Sequence, residues 1–599
     1  LAKEKAKWRQ FQKVKIDRRT ISKRVKKAEG ATTRHAQRFI VHRMDSVRSA
    51  RRHIVGWLVL VGVLIAASGA QLLWYQKSYQ VTAADSGGSY AEATLGSLDT
   101  LNPLFASSDS EATASELLFS SLYTYDTAGK LHGDLAESAT PDKTGRIYSV
   151  KLRPDARWHD GRQLTAEDVV FTVNLMKNSE TRAKRSLQAT WEDVTVKAVD
   201  RTTLKFTLPA VYAAFPYALT FAVLPQHVLK NVTPAAIREN TYSRSPIGSG
   251  PFKFSLLQSA NNDGVKKVVK LNANEKYYEG APKLARFEIH TYQSQDEITS
   301  ALKTGEVNGG SVPPSSASQL KNDKFNIYTK PVDSGVYALF NTISPILKDK
   351  SVRLALQAAT DTKTLRQSFQ SNAPAIDLPF ISGQLTGPNV PKVPLPNAAK
   401  ANAILDKAGW NRVGDVRKKG GQELALTITT TKSDQYEKAA ESLSKQWRDL
   451  GITVKTNVID VNEPTSNFVQ NTLQPRNYDV LLYELLIGAD PDIYAYWHSS
   501  QSGTTGYNFS NYSNPVADTA LASARSRLEP ELRNAKYISF AKEWVRDAPA
   551  IGLYQPVYTY VSGTSSRTLS SSSRFDSATD RFANITDWSV RTKSVYKTP

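Results

Sequence analysis

Trp158, His159, Asp160, Glu167 and Asp168 crowd into one stretch, ARWHDGRQLTAEDVVFTVNLMKN, at 156–178. Side chains of these types ligate metals or pass protons as general acid and base. A catalytic His–Asp pair also needs a nucleophile or an orienting third partner, and the stretch defines neither. The chain contains no G-x-S-x-G, no H-E-x-x-H and no G-x-x-x-x-G-K-[ST] motif. The histidines beyond residue 53, His132, His159, His227, His290 and His498, have no paired metal-ligand spacing. The elements that must position the stretch account for it without chemistry. Residues 147–153 read as a strand, Asp160-Gly161 as a turn, and Thr165-Ala166-Glu167-Asp168 as a helix N-cap with an acid at the third helical position. Val169, Val173 and Met176 then form one apolar face, Trp158 covers the end of a core, and His159 is a turn residue. Neither an enzymatic role nor a cofactor or metal is expected.

At 599 residues the chain is too long for one core, and its apolar content of 40% suits globular folding. With no cysteine it has no disulfide, thiolate metal site, cysteine nucleophile or lipid-bearing N-terminal Cys. The net charge of +21 suggests nucleic acid until it is divided along the chain. Residues 1–53 hold 18 basic and 4 acidic side chains, which leaves 59 against 52 for the other 546 residues. The large part is only mildly basic, so no nucleic-acid partner is expected.

From Ile54 to Tyr75, IVGWLVLVGVLIAASGAQLLWY carries no formal charge for 22 residues. At a rise of ~1.5 Å per residue this spans the roughly 30 Å hydrocarbon core of a bilayer. Arg48, Arg51, Arg52 and His53 precede it and Lys77 alone follows soon after, so the positive-inside bias puts the N-terminus in the cytoplasm and the large part outside. The expected location is the cell membrane, single-pass. A cleaved signal peptide competes: Ser68-Gly69-Ala70 offers small residues, and initiation at Met44 would leave an ordinary n-region. The anchor is the favoured reading because the apolar run continues past Ala70. The basic segment 1–53 reads either as an amphipathic stretch on anionic lipid or as a solvated tail.

Beyond a polar linker at 76–87, strand-like and helix-like segments alternate, as in IYSVKLR, TLKFTL and VRLALQAAT, which argues a mixed α/β fold. In this part WHDGRQLTAEDVVFTVN resembles the signature of family 5 extracellular solute-binding proteins, the dipeptide-, oligopeptide- and nickel-binding components of ABC importers. Further matches follow in that family's order: LNPLF (101–105), VLPQHVL (223–229), PIGSGPFKF (246–254), NEKYYEGAPKLARFEI (274–289), ALKTGEVNGG (301–310), KSVRLALQAATD (350–361), then AILDKAGW, QWRDLGITV, YDVLLYE, DPDIYAYWH and GYNFSNYSNPVAD. The resemblance covers about residues 88–560. Most of these motifs read equally as framework: in PIGSGPF, Gly248 and Gly250 permit close backbone approach and Pro246 and Pro251 stiffen the chain.

The resemblance implies a two-lobed periplasmic-binding-protein-like fold, type II and cluster C-like, with an extra inserted domain and one transmembrane helix before it. Lobe one would be 88–125, 245–331 and 556–599, the inserted domain 126–244, and lobe two 332–555. Ligand would lie between the lobes, which close over it and present the loaded form to ABC transporter permease subunits. By the same resemblance Ser107, Ser108 and Asp109 correspond to one strand-like edge contacting a peptide backbone, and Glu484, Leu485, Leu486, Ile487 and Gly488 to the other. The family's amine-capturing aspartate falls at Gly488 here; Asp490 and Asp492 are near, and Asp109 offers a carboxylate from the other lobe. Asp490-Pro491 also reads as a turn capping a helix. Trp410, Tyr496 and Trp497 read as cleft lining or as core. The expected ligand is a peptide; the alternatives are another solute on the same fold (nickel, haem, sugar) or a membrane-tethered peptide sensor or chaperone.

Overall fold

A computed structural model describes residues 30, 44–259, 266–369, 373–461, 463, 466–569, 575 and 577–596. Readings of the basic segment before residue 44 lie outside the described residues. The chain divides into two compact units, Leu1–Ala83 with Lys593–Pro599, and Ala84–Thr592. In the first, a single helix runs over Met44–Tyr79 and carries an apolar stretch, His53–Tyr75, long enough to cross a membrane. Its apolar side chains, among them Trp57, Leu64 and Trp74, are exposed. The segment expected as a linker contains a strand, Gln80–Asp85, which pairs with Arg591–Tyr596.

In Ala84–Thr592 two large sheets dominate. The first has seven strands in the order Phe325–Pro331, Val557–Gly563, Gly309–Ser311, Ser89–Leu95, Arg286–Tyr292, Lys267–Ala273 and Phe252–Ser259. The second has five: Thr453–Ile459, Ala425–Thr431, Val480–Leu486, Ser334–Phe340 and Ala550–Tyr554. Ser334–Phe340 is buried along its whole length because both faces of its sheet are covered. Val336, Ala338 and Phe340 point to a core that includes helices Lys350–Ala359 and Asp434–Arg448, while Tyr337 and Leu339 point to one that includes Pro515–Arg525 and Pro530–Asp547. Such a strand reads as a continuous apolar run, which SGVYALF does. A four-stranded antiparallel sheet, Ala136–Pro141, Ile147–Leu152, Thr203–Thr207 and Thr195–Ala198, lies between two strands of the seven-stranded sheet in sequence. Its strand Ile147–Leu152 alternates inward and outward, as expected of a sheet with one buried face.

The helix of the opening stretch, Ala166–Lys177, starts as its sequence demands. Thr165 and Asp168 form a capping box. Asp168, buried, accepts hydrogen bonds from Thr165 N (2.9 Å), Thr165 Oγ1 (3.1 Å), Trp158 Nε1 (3.4 Å) and Gln226 N (2.9 Å). Four donors stabilise a carboxylate that would otherwise be costly to bury, and the last of them ties in the VLPQH segment.

Candidate ligand-binding cleft

The chain passes between the two large sheets at 332–333 and again at 555–556. The crossings are bonded to each other: Val332 N–H donates to Pro556 O at 3.0 Å, and Gln555 Nε2 donates to Val332 O at 2.9 Å. Nearby lies a cavity of about 580 Å³. Gln295, Ser311 and Tyr558 line it from the seven-stranded side, and Phe369, Ser433, Asp434 and Lys438 from the five-stranded side. Sequence reasoning named none of these. Apart from Phe369, at the end of helix Thr362–Ser368, they are scattered polar residues on strands and near helix starts, and no motif marks them.

On the first side, Ser107, Ser108 and Asp109 form a helix start and not the expected strand-like edge. Ser108 is the N-cap of helix Asp109–Leu118. The buried Glu111 carboxylate accepts from four backbone N–H groups, those of Asp99 (2.9 Å), Thr100 (3.1 Å), Ser107 (2.6 Å) and Ser108 (3.2 Å). The N–H groups of Ser107 and Ser108 are thereby occupied, and Asp109 projects as an exposed carboxylate.

On the second side, Val480–Leu486 pairs along its length with Ser334–Phe340 but with Ala425–Thr431 only at Val480 and Leu481. From Leu482 onward its other edge carries no strand. The Leu482 carbonyl, on that edge, accepts from Thr430 Oγ1 at 3.1 Å. Main-chain groups two residues apart face the same way, so those of Glu484 face the open edge too. Glu484 and Leu486 are exposed, and Leu485 and Ile487 are buried. The Glu484 carboxylate accepts from Ser334 Oγ at 2.6 Å and Tyr436 Oη at 3.4 Å. The N–H groups of Ile487 and Gly488 donate to Asp333 O at the crossing, at 3.1 and 2.8 Å, and Gln384 Nε2 donates to Gly488 O at 2.7 Å.

The two lobe-two aspartates already have partners. Asp490 is buried in a bidentate pair with Arg533 at 2.7 and 2.8 Å, and its Oδ1 accepts from Asp492 N in a turn. Asp492 pairs with Arg525 at 2.9 Å. Trp497 is 1% exposed, edge-on to Trp544 with centroids 5.7 Å apart, and therefore packs in the core. Trp410 is buried as well.

His159 occupies a turn and is held by the PIGSGPF segment. Its Nδ1 accepts from Gly248 N and its Nε2 donates to Gly250 O, both at 3.1 Å. A Cβ on Gly248 would lie 1.8 Å from Leu118 O, which is why this approach needs glycine. Asp160 bonds His227 Nε2 at 2.8 Å, a partner 67 positions away that local spacing does not reveal.

A family model for bacterial extracellular solute-binding proteins, family 5 Middle, matches residues 130–507. The oligopeptide-binding protein AppA of Bacillus subtilis is 29% identical over 517 residues, covering 83% of this chain and 92% of AppA. The structure of that AppA in complex with a nonapeptide matches with TM-score 0.68 and 26% identity over 85% of this chain and 100% of its own. NikZ from Campylobacter jejuni in complex with Ni(L-His) matches with TM-score 0.70 and 25% identity over 84% and 99%. Two sheet-centred lobes, a doubled crossing with a cavity beside it, and a family match over more than half its length make this chain a member of the family 5 bacterial extracellular solute-binding proteins.

Proposed function

We propose that the protein captures peptides in the cleft between its lobes and delivers them to the permease of an ABC importer, held at the cell membrane by Met44–Tyr79. The observation that carries the peptide reading is the strand edge left open from Leu482 onward. An extended peptide can add there as a further strand, with main-chain hydrogen bonds supplying affinity that is indifferent to side chains. AppA, whose structure holds a nonapeptide, supports the same ligand class. In this reading lobe one is 88–125, 245–331 and 556–599, the inserted domain is 126–244, and lobe two is 332–555. The crossings at 332–333 and 555–556 act as the hinge, and closure shields the polar contacts from water.

The test uses the full chain in detergent micelles, with thermal unfolding followed against pools of di-, tri- and longer peptides, sugars and Ni(L-His). A ligand bound only by the folded state raises the melting temperature. Stabilisation by a peptide pool is the expected result; stabilisation by Ni(L-His) or a sugar alone would replace the ligand class. Alkaline carbonate extraction of native membranes tests the tether, since an anchored chain stays in the pellet and a cleaved one is released. Deleting residues 1–43 separates importer from sensor: uptake persists if the segment is a plain tether.

A further inference from the structure

We infer that the five-stranded wall of the cleft selects peptides carrying a basic side chain, and that Glu484 is the residue that reads it. This deepens the peptide reading and rests on it: main-chain capture is indifferent to side chains, whereas a carboxylate beside the captured strand is not. Glu484 lies on the open edge and is exposed. Its carboxylate accepts from the Ser334 and Tyr436 hydroxyls and has no cationic partner among the described residues. A neutral amide would serve both hydroxyls, accepting from one and donating to the other, so this bonding does not call for a charge.

The surroundings are acidic in a part of the chain that is otherwise mildly basic, with 59 basic against 52 acidic side chains after residue 53. Asp434 and Lys438 line the cavity, and Lys432, Glu437, Asp460 and Glu463 line a groove that adjoins it through the consecutive residues 432–434. Asp434 pairs with Lys438 and Asp460 with Lys432, which leaves Glu437, Glu463 and Glu484 without a counter-ion among the described residues. Glu437 sits in the first turn of helix Asp434–Arg448, whose N-terminal partial charge of about half a unit answers it in part. Glu463 and Glu484 stay uncompensated. On the seven-stranded side, the described residues that line the cavity include no charged side chain to oppose them.

Aromatic surface adds to the preference. Val336 pairs with Glu484 on one side and with Tyr554 on the other, so these residues form a row across three strands. Helix Asp434–Arg448 covers that face and brings the half-buried Tyr436 against Glu484. Phe369, which lines the cavity, packs on the Tyr554 ring with centroids 4.8 Å apart. Burial first, and then the Glu484 carboxylate, push the Tyr436 and Tyr554 hydroxyls well above their ordinary pKa of 10, so both stay neutral and leave the charge of Glu484 unanswered. A cation that reaches Glu484 therefore meets an aromatic ring as well as an unpaired carboxylate. A peptide carboxylate in the same place meets only repulsion.

The test is calorimetric titration of the full chain in detergent with N-acetylpentaalanine and with sets in which one alanine, at each position in turn, is replaced by arginine, citrulline or glutamate. Acetylation removes the α-ammonium from the comparison, and citrulline keeps the shape of arginine without its charge. At the position that falls beside Glu484, arginine should bind about fivefold more tightly than citrulline, and glutamate more weakly than alanine. Raising salt from ~50 to ~500 mM should shrink the arginine advantage. Glu484→Gln should narrow the arginine-to-citrulline ratio to below about twofold. Equal binding of arginine and citrulline peptides at every position, a ratio that survives Glu484→Gln, or glutamate accepted as well as arginine overturns the assignment. Should Glu484→Gln fail to fold, the ratio in the native chain and its salt dependence decide. Peptide binding without charge preference defeats this inference alone. Binding by no peptide, pool members included, defeats the peptide reading and this inference with it.

Discussion

Both ring nitrogens of His159 are committed to main-chain groups, which fixes a neutral imidazole with its proton on Nε2. Burial pushes its pKa from 6.5 down to about 4. As pH falls through that window the unfolded chain takes up a proton that the folded chain refuses. The stabilisation is therefore complete above about 6.5 and is lost progressively down to about 4. Raised carboxyl groups oppose this trend, since burial lifts Asp134 to about 7, so the His159 contribution is read as a difference. The urea midpoint should fall more steeply between pH 7 and pH 5 in the native chain than in His159→Gln; parallel curves would show that His159 titrates normally. The sequence revealed that His159 sits in a turn and that Asp168 caps a helix, because both follow from neighbours within a few positions. It could not reveal that His159 docks Gly248 and Gly250 or that Asp160 meets His227, because chain folding alone brings those partners together. Trp497 was equally ambiguous: an aromatic in a YAYWH run fits a ligand wall or a core, and contact with Trp544 decides for the core.

Strands and helices of this chain were legible where periodicity is strong, as in Ile147–Leu152 with its alternation and Lys350–Ala359 with its apolar face. Edges were not, since a strand's sequence does not state how much of it is paired. Val480–Leu486 reads as an apolar run broken only by Glu484, yet its pairing with Ala425–Thr431 stops after Leu481. Conversely, the family resemblance implied a strand-like edge at Ser107 to Asp109, but Ser108 and Glu111 make the segment a helix cap. If peptides add as a strand at Glu484, the affinity resides in alternate peptide N–H and C=O groups. Methylating the backbone nitrogens of pentaalanine that face the protein should then weaken binding by about tenfold per lost hydrogen bond to a well-ordered edge, whereas methylating the intervening nitrogens should change it little. Equal tolerance of methylation at every position would rule out strand addition.

Residues 212–213, beyond the four-stranded sheet, meet the five-stranded side of the molecule at a place other than the crossings. Ala213 N–H, in the segment leading out of the four-stranded sheet, donates to Arg525 O at 3.0 Å. The Arg525 guanidinium lies 4.9 Å from the Tyr212 ring and 4.4 Å from the Tyr494 ring while it holds Asp492. Tyr494 and Asp492 belong to the loop that continues from Gly488, so this contact and the open strand edge share one piece of chain. If this contact forms only on closure it favours the closed arrangement, and a ligand that needs closure binds with an affinity reduced by whatever fraction of molecules is open. The Arg525 side chain is 36% exposed, which limits its contribution to about 1 kcal/mol, or a fivefold change in a conformational equilibrium. Arg525→Ala should therefore weaken peptide binding about fivefold without touching the ligand, and added salt should shrink the difference between native chain and variant. The chain has no cysteine, so spin labels at Lys321→Cys and Glu441→Cys, exposed positions on the two lobes, report their separation without background. The unliganded variant should show a larger share of long separations than the native chain, and saturating peptide should bring both to the same short distance. Unchanged affinity with unchanged distances would mean that the Tyr212–Arg525 contact follows closure passively, leaving the two crossings to set the equilibrium.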